Sequence, residues 1–143
     1  MLNILFLYSY LNFATAQDIE VCKFDRPIHA KEFIDAINSG CSLSVGTTIV
    51  VGVKEDFDDK FKEKLEQLSK YLVEQKSIKL IAIEIHTTKL KSIEEEIQVA
   101  KNTGQRIVDY LANQGVKSYR TEVRVMDSSS KEFIDIRILK IEK

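Results

Sequence analysis

Ile93, Ile97, Ala100, Gly104, Ile107 and Leu111 recur every three or four residues, so a helix over about Ile93 to Gln114 carries one apolar stripe that it must bury. Gly115 is placed to stop that helix. A second stripe, Phe57, Phe61, Leu65, Leu68 and Leu72, marks another amphipathic helix. Asp58, Asp59, Lys62, Glu63, Lys70 and Glu74 face water there, with acidic residues gathered at the positive end of the helix. Neither helix can hide its stripe alone, and each needs a sheet to cover.

The intervening segments supply that sheet. Val45, Thr47, Ile49, Val51 and Val53 put branched side chains at alternate positions, which predicts a strand over about Leu43 to Val53. Ile78 through Ile85 reads as a strongly apolar strand, with Glu84 and then His86-Thr87-Thr88 as its polar exit. Thr121 to Met126 and Phe133 to Ile141 alternate as two more strands, and Asp127-Ser128-Ser129-Ser130 between them fits an antiparallel hairpin. The order strand, helix, strand, helix, strand, strand predicts an α+β fold, a two-layer sandwich with two helices packed on a four-stranded mixed sheet. The far face of that sheet is left to solvent or to the N-terminal segment.

Residues 1–16, an apolar uncharged run ending in Ala14-Thr15-Ala16, have the shape of a secretory signal cleaved before Gln17. A basic n-region is missing and Tyr8 and Tyr10 interrupt the run, so a membrane anchor and an irregular segment are the competing readings. Taking 16 residues from 143 leaves 127, enough for one domain. No later stretch is apolar enough to span a bilayer.

Residues 17–42 form an N-terminal extension, in which Pro27 precedes a short helix over about His29 to Ile37 and Asn38-Ser39-Gly40 ends it. Cys22 and Cys41 flank that helix. In an exported chain the pair reads as one disulfide, and in a chain that stays inside the cell as two free thiols. The formal net charge is -1 with both signs interspersed, which disfavours a nucleic-acid partner.

From about Val45 onward the chain resembles the OmpA-like domain of peptidoglycan-associated lipoproteins, outer-membrane porins and flagellar motor proteins. Ile85-His86-Thr87-Thr88 matches the family's strand exit, and Val99-Ala100-Lys101-Asn102-Thr103-Gly104 its helix run. Ile107-Val108-Asp109-Tyr110-Leu111 matches the helix end, and Gly115-Val116 the turn after it. The resemblance implies an OmpA-like domain over residues 43–143 of an exported chain, periplasmic or associated with the outer membrane, acting by binding and without a cofactor. Its implied partner is peptidoglycan or another envelope protein.

In the family an Asp after the Thr and an Arg on the helix hold the diaminopimelate part of peptidoglycan. Thr88 and Thr103 stand at those positions, Glu96 stands at the family's Asn, and Lys91 replaces a loop glycine. Charge-assisted bonds are worth roughly 1.5 to 3 kcal/mol each, against about 0.5 to 1.5 for neutral ones, so two hydroxyls offer a zwitterionic ligand far less. The resulting ligand-binding set is His86, Thr88, Lys91, Glu96 and Thr103, with Lys91 and Glu96 read as surface charges unless a pocket gathers them.

No catalytic residue is assigned. His86 has no acid partner identifiable in sequence, and the Ser128-Ser129-Ser130 hydroxyls belong to a turn. Glu94, Glu95 and Glu96 serve the positive end of their helix. With two widely separated histidines, a metal site requires distant carboxylates or thiols to converge, and no metal ligand is assigned.

Overall fold

The computed structural model describes residues 21–53, 59–87, 93–126 and 133–142. The signal-like segment 1–16, the linking Asp127-Ser128-Ser129-Ser130 and the candidate ligand residues Thr88 and Lys91 lie outside the described residues.

The N-terminal extension contributes strand β1 (Val21–Cys22), strand β2 (Ile28–His29) and helix α1 (Ala30–Asn38), followed by strand β3 (Ser42–Leu43). The chain continues through β4 (Thr48–Val53), α2 (Asp59–Glu74), β5 (Ile78–His86) and α3 (Ile93–Asn113). A 3₁₀ turn at Ser118–Arg120 leads into β6 (Thr121–Met126) and β7 (Phe133–Ile141). The strand expected from Leu43 onward is split in two, because Gly46 adopts φ +91 in the turn between β3 and β4.

The fold is α+β, three helices against a mixed sheet, and that sheet has five strands in the order β2-β4-β7-β5-β6. The fifth strand comes from the N-terminal extension, whose β2 pairs in parallel with β4, Ile28 against Ile49. β1 and β3 form a separate two-stranded sheet. A disulfide joins Cys22 of β1 to Cys41 just before β3, with Cα atoms 5.4 Å apart, and encloses α1 in a covalent loop. The extension does not cover the far face of the main sheet: Phe33 of α1 meets Tyr71 of α2 edge to face, ring centroids 5.3 Å apart, on the helical side.

The C-terminal strands share one sheet but do not form the expected hairpin. β5 lies between them, parallel to β6 and antiparallel to β7, and β7 also pairs with β4. The cause is the composition of β5: Ile81, Ile83 and Ile85 are buried on the helical side while Ala82 and Glu84 are buried on the other, which suits a central strand and not an edge. β6, with Glu122 and Arg124 exposed, takes the edge.

Ile134, Ile136 and Ile138 of β7 join Ile49 and Val51 of β4 and the β5 isoleucines beneath the helices. α2 buries Phe61, Leu65, Leu68, Tyr71 and Leu72 there. α3 buries Ala100, Gly104, Ile107, Val108 and Leu111, whereas Ile97, counted in the stripe, remains 37% exposed. Gly104 sets the approach of α3, since a methyl group there would overlap the side chain of Val123 on β6. Tyr110 bridges the helices by donating to Glu66 Oε1 at 3.0 Å. Arg120 closes the lower end of the sandwich, its guanidinium donating to the carbonyls of Leu72, Gln75 and Ile78.

Candidate functional site

Alternation along β5 and β7 sends Glu84, His86, Asp135 and Arg137 to the sheet face away from the helices, opposite the isoleucines. The antiparallel register sets Glu84 directly across from Asp135, Ala82 across from Arg137 and His86 across from Phe133. Diagonal neighbours then reach one another. His86 Nε2 lies 2.9 Å from Asp135 Oδ2, and Arg137 Nε donates to Glu84 Oε1 at 3.1 Å. The His86 ring stacks on Phe133, centroids 3.9 Å apart and planes within 9°.

Two carboxylates are thus buried side by side. Glu84 is 1% exposed and Asp135 4%, so Glu84 is part of the interior and not a polar strand exit. Burial, then the hydrogen bond and negative charge of Glu84, push the Asp135 carboxyl up to about 7, with the Arg137 charge opposing. Burial also lowers the His86 pKa, while Glu84 and Arg137 pull it in opposite directions. As an ionised carboxylate, Asp135 leaves Oδ1 buried without a hydrogen-bond donor; as an acid it can donate to Glu84. The arrangement can hold a shared proton or a cation. Glu84, His86 and Asp135 place one potential ligand atom each within 4.8 Å of one another.

Of the residues singled out from sequence, three are described: His86 belongs to this cluster on the face away from the helices, whereas Glu96 and Thr103 ride on α3, which packs on the opposite face through Ala100 and Gly104. Glu96 is half-buried, and the Thr103 hydroxyl donates to the Val99 carbonyl one helical turn earlier at 3.0 Å. Glu84, Asp135 and Arg137 were missed. Their signal was present as charged residues at alternate positions, Glu84 and His86 in one apolar strand and Asp135 and Arg137 in another.

Fold and cluster together define a disulfide-strapped α+β sandwich with carboxyl, imidazole and guanidinium groups set into the sheet face away from its helices. No helix among the described residues is long and apolar enough to cross a membrane. No family model matches the chain, and no curated protein does either. Among solved structures, it is similar to the OmpA-like domain of FopA1 from Francisella tularensis subsp. tularensis SCHU S4, at 11% identity and TM-score 0.47, over 87% of this chain and 91% of that chain.

Proposed function

We propose that this chain is an exported, non-catalytic module of the cell envelope, OmpA-like in kind, that works by binding. The observation that carries the reading is the disulfide between Cys22 and Cys41, a crosslink that persists in oxidising compartments and is rare where thiols are kept reduced. The motif run from His86 to Val116 supports the envelope assignment. The non-catalytic reading is supported by the state of the reactive groups: both cysteines are bonded together, and His86 is held between Asp135 and the Phe133 ring. Retention of the purified chain on peptidoglycan sacculi, measured against an unrelated exported protein, tests the wall-binding form of this proposal. Equal retention of the two proteins removes it.

A second reading, an envelope protein-interaction or assembly module that has lost wall binding, is favoured by one observation. Thr103 offers no charge to a ligand carboxylate and its hydroxyl is already bonded to Val99. Crosslinking in intact cells separates the readings, since this one requires a discrete partner and the first does not.

A further inference from the structure

We propose that Glu84, His86 and Asp135 form a binding site for one divalent transition-metal ion, with Zn²⁺ the best chemical match. Three ligand atoms from two strands already lie within 4.8 Å of one another. Two ligand atoms about 2.1 Å from a tetrahedral zinc stand roughly 3.4 Å apart, so an ion would replace the 2.9 Å hydrogen bond between His86 Nε2 and Asp135 Oδ2 by parting the two atoms about 0.5 Å. One imidazole nitrogen with two carboxylate oxygens favours Zn²⁺ over Ca²⁺ and Mg²⁺, which take all-oxygen shells.

A second observation points to a ligand independently of the cluster. Asp135 is 4% exposed, and in its ionised form Oδ1 has no hydrogen-bond donor among the described residues. A buried acceptor without a donor is costly, and among the described residues the guanidinium bonded to the two buried carboxyl groups is that of Arg137. Arg124 stands beside Glu84 in the β5–β6 register, but its Nε bonds Glu122. A divalent ion that also reaches Asp135 Oδ1 would satisfy the orphan oxygen and offset the negative charge of the ionised pair.

The supporting groups are those that orient metal ligands. Arg137 fixes the Glu84 carboxylate through Oε1. Phe133 fixes the plane of the His86 ring. Two adjacent, paired strands carry all three ligands, so the site needs no loop closure to assemble.

The test titrates the chelator-stripped chain with Zn²⁺ against a chromophoric competitor, and with Co²⁺ for its visible absorption bands. One equivalent bound is expected, unchanged in His29→Ala and weakened more than about tenfold in Asp135→Asn and in His86→Gln. His86→Gln lies at the rim of the cluster and serves if Asp135→Asn fails to fold, circular dichroism deciding which variants count. Absence of stoichiometric binding in the wild-type chain overturns the proposal and leaves a proton as the occupant. Equal affinity in the wild type and in every folded ligand variant overturns it too, because the ion is then bound elsewhere.

Discussion

Glu84 and Asp135 face each other directly across the β5–β7 ladder, two carboxyl groups almost wholly removed from water on the sheet face that carries no helix. Neighbouring strands lie only about 4.8 Å apart, so neither group can escape the field of the other.

That field makes stability depend on pH. Asp135 is pushed up to about 7, so the folded state keeps its proton while the unfolded chain releases it near the ordinary carboxylate value. The contribution is complete below about pH 4 and disappears as pH rises to about 7, a loss on the order of a few kcal/mol. His86, lowered by burial, acts with the opposite sign, because protonating it below about pH 6.5 favours the unfolded chain. Among the described residues, the registers also place Arg137, Glu122, Arg124, Lys140 and His29 on the face that holds Glu84 and Asp135. In chelator-treated protein, Asp135→Asn is expected to gain on the wild type steadily between pH 5 and 8. Melting curves recorded across that range check it, and a constant offset between the two proteins removes the shared-proton account.

Gly104 and Val123 define the distance between α3 and β6. Gly104→Ala should raise helix propensity by about 1 kcal/mol yet destabilise the domain by roughly 1 to 2 kcal/mol net, because Val123 is stiff at χ1 and cannot swing aside. Adding Val123→Ala should recover part of the loss. Denaturant unfolding of the two single variants and the double variant measures the coupling, and strict additivity would contradict the contact.

Arg120 donates to three backbone carbonyls at the junction of α2 and β5, those of Leu72, Gln75 and Ile78, the Gln75 carbonyl also accepting from the Ile78 N–H. Arg120→Met is expected to cost about 2 to 3 kcal/mol, and Arg120→Lys to recover less than half, since an ammonium cannot span three acceptors as a planar fork does. Urea midpoints decide it. A neutral Arg120→Met would mean that water replaces the guanidinium.

Replacing Cys22 and Cys41 together with Ser opens a loop spanning 19 positions, for which chain entropy gives about 3 kcal/mol of lost stability. Phe33 and Ile28 are expected to lose protection first, since their strand and helix are held within that loop. Hydrogen exchange resolves the order, and uniform loss across β5 would argue against a locally acting strap.

Much of this architecture was legible in the residues. Leu65, Leu68 and Leu72 on α2 and Ala100, Ile107 and Leu111 on α3 announced their buried faces by spacing alone, as Ile81, Ile83 and Ile85 did for a strand. What spacing does not encode is partnership. The alternation in Phe133–Ile141 fixes which side chains share a face, yet is equally consistent with a hairpin to β6 and with the observed place between β4 and β5. The His86–Asp135 contact depends on that place and on a register linking positions 49 apart, so it was out of reach while β7 stood beside β6. The exposure of Ile97 shows the same limit, because a stripe defines a direction and not the extent of the surface it meets.

The strand at the heart of the sheet, Phe133–Ile141, is also the last of its five to leave the ribosome. Until it emerges, β4 and β5 have no bridge between them, so a nascent chain cannot lock into its final form partway through synthesis. Closure of the sheet therefore waits on the strand made last.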